Sequence, residues 1–189
     1  MQALDVSLFA LINAGATAPA WSIYFARFVS DVLPALLAVA IIGGAALDRR
    51  LRYACFTALV SVLLVWLFVN VFRSAMPFQR PAFYGLGIQW APQGARPGFP
   101  SLHAAGTFAA AFSLWCLPWR APMLAAVAVA AVVGWSRVFL GLHFPLDVVV
   151  GVMLAALVSI VVERGISRPL NLVLRAYMRP RLRARRARA

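Results

Sequence analysis

The sequence predicts an all-α integral membrane protein, a bundle of about six helices in which five strong transmembrane helices follow a short N-terminal one. Three observations carry that prediction. Apolar residues make up 63% of the 189-residue chain and charged residues only 12%, where a soluble domain runs at roughly one half and one quarter. Mean hydropathy is +0.86, which excludes disorder as well as a water-soluble globule. The apolar residues also gather into long unbroken runs, without the alternation that barrel strands need. The length suits one domain.

The elements follow in chain order. A stretch at about 3–14 sets Leu4, Leu8, Leu11 and Ile12 on one helical face. It is too short to span comfortably and reads as an interfacial or half-inserted helix. Met1–Asp5 carries an acid and no arginine, the reverse of a basic leader, so the segment is assigned to the mature chain. Five runs long enough to approach the ~20 residues needed for a crossing come next. They lie at roughly 23–47, 51–72, 101–118, 122–140 and 146–163. Residues 1–165 make the membrane domain and 166–189 a basic tail, in which Leu170, Val173, Leu174 and Tyr177 oppose Arg168 and Arg175. Cys55 and Cys116 both fall inside apolar runs and read as buried thiols.

Charge sets the orientation. All 18 basic residues are arginine, against five acidic ones, for a net charge of +13. In a soluble protein that excess would point to nucleic acid; here it suits topology and anionic lipid, and no nucleic-acid partner is expected. Arg49, Arg50 and Arg52 fill the turn between the first two strong helices, Arg120 the turn two crossings later, and nine more arginines follow Glu163. With five crossings these three places share one side, which the positive-inside rule makes cytoplasmic. The multi-pass chain then belongs in a bacterial inner membrane with its C-terminus inside. Arg27, Arg73, Arg80, Arg96 and Arg137 remain as exceptions to the bias.

Chemistry-bearing residues collect at the opposite, outer face. Arg73 and Arg80-Pro81 lead a Gly/Pro-rich loop that ends in Pro100-Ser101-Leu102-His103, a plausible helix start whose free N–H groups favour an anion. Ser136-Arg137 precedes Gly141, His143 and Asp147, with Pro145 suited to a first helical turn. Asp147 would then accept the ring N–H of His143. Arginines match phosphate oxygens by paired hydrogen bonds. A histidine fixed in one tautomer keeps its other nitrogen free to attack phosphorus, and a second histidine can protonate the leaving oxygen. Each residue alone has a blander reading: His103 as a hydrogen-bonded interface residue, Asp147 as a helix cap, Arg137 snorkelling to headgroups. A metal held by His103, His143 and Asp147 is disfavoured because the arginines would repel a divalent cation, so no metal and no cofactor is expected.

In these motifs the chain resembles the type-2 phosphatidic acid phosphatase superfamily of membrane lipid phosphatases. That family carries Lys, six residues, Arg-Pro; then Pro-Ser-Gly-His; then Ser-Arg, five residues, His, three residues, Asp. Here Arg73, six residues, Arg80-Pro81 is followed by Pro100-Ser101-Leu102-His103 and by Ser136-Arg137, five residues, His143, three residues, Asp147. Arg73 stands for the family's Lys and Leu102 for its Gly. The resemblance implies His143 as nucleophile, Asp147 orienting it, and His103 as acid and then base. It also implies Arg73, Arg80, Ser101, the Leu102 N–H and Arg137 as the grip on the phosphoryl oxygens. Arg96 lies outside the motifs and is a candidate contact for a second phosphate.

The short chain resembles the small bacterial members that hydrolyse undecaprenyl diphosphate to the monophosphate, a reaction of cell-wall carrier recycling. The same motifs would serve a phosphatase for phosphatidylglycerophosphate, phosphatidic acid or lipid A. A non-catalytic lipid-binding or transport protein on this scaffold is the alternative of another class; it would need the arginines but neither an acid nor a nucleophile.

Overall fold

The computed structural model describes residues 3–93, 96–170 and 172–173, with the backbone alone at Arg49 and Arg50. The described residues are helical throughout their regular structure. Helix α1 (Ala3–Ile12) turns Asp5 and Phe9 inward and leaves Leu4, Leu8 and Leu11 exposed. At about 1.5 Å per residue its ten residues reach half the hydrocarbon thickness. Both of its ends are tied to one end of the bundle: the Leu146 N–H donates to Asp5, and Asn13 bonds the backbone of Ile88 and Phe139.

The run expected at 23–47 begins earlier and is broken. Helices α2 (Ala20–Asp31) and α3 (Leu33–Leu47) meet at Val32, because Pro34 supplies no N–H to the turn before it and is placed in the first turn of α3. Helix α4 (Arg49–Ala75) follows a one-residue link at Asp48, and Arg52 Nε reaches back to the Ala45 carbonyl at the end of α3. Helix α5 (Leu102–Ser113) is shorter than the expected run at 101–118. A 3-10 turn at Leu114–Cys116 tightens its end before Pro118, and hydropathy, which counts apolar residues through Leu117, does not register that change. Helices α6 (Ala121–Phe139) and α7 (Pro145–Val162) complete the bundle. After α7 a π-helical turn at Glu163–Ser167 continues the helical run to Leu170, past the end expected at 163. Most of the predicted amphipathic tail, including Leu174, Arg175 and Tyr177, lies outside the described residues.

Four helical runs among the described residues, Ala20–Leu47, Leu51–Ala75, Ala121–Phe139 and Pro145–Leu170, are long and apolar enough to cross a membrane. The remaining expected span, at 101–118, is the helical run Leu102–Cys116, apolar but below that length. It occupies the centre of the bundle against α4, α6 and α7. Ala104, Ala105, Ala109 and Ala111 are fully buried, and small residues of this kind let helix backbones approach in a membrane. Gly151 on α7 serves the same approach: a Cβ there would sit 3.0 Å from the Ser101 carbonyl oxygen. Phe108, Val65, Val69, Val158 and Val162 pack around this centre. Large apolar side chains on the outside, among them Leu59, Leu63, Phe68, Leu124, Met153 and Leu157, face where lipid chains would lie. Both cysteines are free; Cys55 is buried as expected, and Cys116 is only half-buried.

Candidate active site

The C-terminal ends of α4 and α6 and the N-terminal ends of α5 and α7 meet at one end of the bundle, with residues 76–93 and 96–101 laid across them. A tight connection builds the first part of the site. Gly141 adopts φ +74° just after α6, where a Cβ would run into the Ile88 carbonyl oxygen. The Leu142 and His143 N–H groups then fold back onto the Arg137 carbonyl. Alanine at Gly141 is expected to cost about 1–3 kcal/mol, since a left-handed backbone and a collision fall together there. A lowered thermal midpoint of Gly141→Ala in detergent checks this.

The connection fixes His143, which is 1% exposed. Its Nδ1 lies 3.0 Å from Asp147 Oδ2. The same carboxylate oxygen accepts the Phe144 N–H at 3.0 Å, so Asp147 closes the first turn of α7 while holding the imidazole. With Nδ1–H donating to a carboxylate, the Nε2 lone pair is free to accept. Arg80 Nη1 stands 3.2 Å from Nε2. Burial, followed by Arg80, Arg137 and Arg73, lowers the His143 pKa well below its ordinary value, so the imidazole is neutral at physiological pH.

Arg80 is 8% exposed and is held on three sides. Its Nε donates to the Arg96 carbonyl at 2.9 Å, and its Nη1 to the Leu142 carbonyl at 2.9 Å and to Gln93 Oε1 at 2.6 Å. Burial first, then Arg73, pulls its guanidinium down to about 10, against the opposing pull of Asp147; it remains a cation near neutrality. Arg137, 2% exposed, donates from Nη1 to Ser30 Oγ at 2.6 Å and from Nη2 to Gln93 Oε1 at 3.2 Å. Arg73 Nη2 bonds the Gly98 and Pro100 carbonyls at 3.1 and 2.7 Å. These donations all end on neutral oxygens, and the Nε atoms of Arg73 and Arg137 are buried without a hydrogen-bond partner among the described residues.

Ser101 stands at the N-terminal boundary of α5, as its position after Pro100 suggests, but its hydroxyl does not cap the helix. Its N–H bonds the Asp147 carbonyl at 2.9 Å, and its Oγ is buried and unpartnered. Leu102 follows in the first turn, where N–H groups have no intrahelical acceptor. His103 is half-buried, within electrostatic range of Arg137, Asp31, Arg73 and Arg80. It borders an apolar hollow of about 260 Å³ walled by Pro34, Leu37, Val62, Leu102 and Gly106. A second cavity of about 600 Å³ reaches Asp147 between Tyr84, Phe99 and Phe144. The Arg96 backbone carbonyl supports Arg80, while the residue as a whole is exposed.

Sequence reasoning missed four supports. Ser30 holds Arg137, Asn13 joins the 88 and 139 segments, Asp5 caps α7 and Gln93 bridges two guanidiniums. Ser30 alone left a signal, a polar residue inside an apolar run.

Chemically, the cluster offers a neutral imidazole oriented by a carboxylate, three cations, a spare hydroxyl and a helix N-terminus. Such a set is suited to a multiply charged oxyanion.

Known proteins share this architecture. The PAP2 superfamily model matches residues 50–168. A protein of Escherichia coli (strain K12) named "Putative undecaprenyl-diphosphatase YbjG" is 35% identical over 160 residues, covering 81% of this chain and 78% of that protein. The crystal structure of Aquifex aeolicus LpxE superposes with a TM-score of 0.75 at 21% identity, covering 86% of this chain and 96% of that one. A transmembrane PAP2 type phosphatidylglycerolphosphate phosphatase from Bacillus subtilis gives a TM-score of 0.63 at 22% identity, over 85% and 81% of the two chains. The last two likenesses concern the fold; the match to the family model and the identity to the E. coli protein show that this chain belongs to the PAP2 superfamily.

Proposed function

We propose that this membrane protein hydrolyses the terminal phosphate of a lipid diphosphate, with undecaprenyl diphosphate as substrate and undecaprenyl phosphate and inorganic phosphate as products. One observation carries the reading. Arg80 and Arg137, both almost fully buried, and the half-buried Arg73 gather near the free nitrogen of a carboxylate-held histidine, with no carboxylate among their hydrogen-bond partners in the described residues. Asp147 and Asp31 act on these cations without a direct hydrogen bond; buried cations that no anion touches are costly, and a phosphoryl group would supply that contact. The preference for a polyprenyl diphosphate rests on the name of the E. coli relative.

In this mechanism His143 Nε2 attacks the terminal phosphorus, and the bond from phosphorus to the bridging oxygen breaks. His103 stands near the same arginines; it takes up a proton from solvent when the bound phosphate offsets their charge, and gives that proton to the departing lipid phosphate. Neutral His103 then takes a proton from water, whose oxygen attacks phosphorus and breaks the P–N bond, restoring His143 and releasing phosphate. Asp147 holds Nδ1–H throughout and stabilises the charge that develops on the ring. Arg73, Arg80, Arg137, Ser101 and the Leu102 N–H receive the equatorial oxygens, where electrostatic stabilisation is usually the largest catalytic term. No step calls for a metal.

The arginine distribution supports a site at the periplasmic face of a bacterial inner membrane with the C-terminus in the cytoplasm. The basic tail is suited to anionic inner-leaflet lipid.

Phosphate release by detergent-purified protein in EDTA, with phosphatidic acid and phosphatidylglycerophosphate as competitors, tests the reading. Release that survives EDTA and favours undecaprenyl diphosphate is expected. Preference for a monophosphate lipid would reassign the substrate, and loss of release in EDTA would contradict the mechanism. Ser30 supplies a graded test. Ser30→Ala takes one hydrogen bond from a charged group, worth about 1.5–3 kcal/mol, so kcat/KM is expected to fall roughly ten-fold or more with the fold intact.

A further inference from the structure

Gln93 is the residue that neither the sequence motifs nor the mechanism uses, yet it sits at the convergence of the site. Its amide oxygen accepts from Arg80 Nη1 at 2.6 Å and from Arg137 Nη2 at 3.2 Å. These two guanidiniums come from different parts of the chain, one on the segment after α4 and one at the end of α6. A single oxygen that receives both is doing what one phosphoryl oxygen would do between them. The geometry leads further. Arg80 Nη1 has two hydrogens and three acceptors within reach: Gln93 Oε1, the Leu142 carbonyl and His143 Nε2, of which His143 is the longest at 3.2 Å. One atom therefore links the glutamine to the nitrogen that would attack phosphorus.

We infer that the Gln93 side chain is a placeholder for a phosphoryl oxygen: it holds Arg80 and Arg137 in position in the resting site and is displaced when a phosphate group binds. This rests on the proposed phosphatase reading and adds to it a residue that sets affinity through the arginines. A neutral amide suits the task. It gives Arg80 Nη1 and Arg137 Nη2 one shared acceptor, but it binds them more weakly than a charged oxygen does. Gln93 is thus a positioning residue and a competitor of the substrate.

The test uses full-length protein in detergent, with inorganic phosphate as the probe. Phosphate binding is read by thermal shift and, separately, by competitive inhibition of turnover. Gln93→Ala and the shorter Gln93→Asn, which falls short of bridging both guanidiniums, are expected to bind phosphate roughly three- to ten-fold more tightly and to lower KM. Gln93→Glu places a carboxylate between the arginines and is expected to weaken phosphate by about ten-fold or more. A merely structural role would shift all three variants toward weaker binding. Weaker phosphate binding in Gln93→Ala would make Gln93 a substrate contact and overturn the placeholder, as would equal binding in all four proteins. If phosphate binds neither the wild type nor Gln93→Ala, the phosphoryl reading of the pocket fails, and this inference with it.

Discussion

His143→Ala is expected to lower phosphate release on the order of 10⁴-fold or more while leaving lipid binding in place, the scale seen when a covalent nucleophile is removed. The basis is the division of labour around the imidazole. Asp147 takes Nδ1 at 3.0 Å, leaving Nε2 as the side of the ring that faces the arginines. Alanine removes that lone pair but leaves Arg73, Arg80, Arg137 and Ser101 to bind the phosphate. Turnover and binding therefore separate, which a non-catalytic lipid-binding protein would not show. The pH dependence follows from the same surroundings. Burial and the neighbouring cations lower the His143 pKa well below its ordinary value of 6.5. In the free enzyme it thus stays unprotonated as pH falls through 6.5, and no loss of kcat/KM at that point is expected from His143. A decline centred there would show an exposed, unperturbed imidazole instead.

Arg80→Ala carries the second large effect, a loss of about 10²–10³-fold in kcat, the scale for removing one donor from a developing oxyanion. Three acceptors lose their partner together: the Arg96 and Leu142 carbonyls and Gln93 Oε1. Arg80→Lys keeps a charge but replaces a planar fork by a compact ammonium, which cannot hold those acceptors and a phosphoryl oxygen in one geometry. It is expected to remain at least about ten-fold below wild type. Because burial and Arg73 bring the Arg80 guanidinium down to about 10, wild-type kcat/KM is also expected to fall as pH rises toward that value and the cation is lost. Steady-state kinetics of the two variants and a wild-type pH profile check both statements.

The residues of the site that are legible in the sequence are those whose chemistry needs a fixed spacing. His143 and Asp147 are four residues apart on either side of Pro145, so any helix start at Pro145 brings them together. The arginines could be singled out because they lie apart from the arginines at 49–52, 120 and 164–188 that make up the charge bias. Asn13 and Gln93 carry no such signal, and Ser30 shows only as a polar residue inside an apolar run, since their partners are set by packing: Ser30 meets Arg137 across 107 positions and Asn13 meets Ile88 across 75. Ser101 was placed correctly at a helix start, but its hydroxyl is left spare instead of capping the helix. Hydropathy located the apolar runs and misjudged their ends. It reads composition, whereas the break at Val32 comes from the missing N–H of Pro34 and the shortening of α5 from a change in helix geometry.

The most direct measurement is to quench the protein in alkali during turnover of a diphosphate labelled in its terminal phosphate, and then to map the label. Phosphoramidate on His143, absent in His143→Ala, is the expected result. Label-free protein under conditions where phosphate is being released, or label on any other residue, would contradict the account.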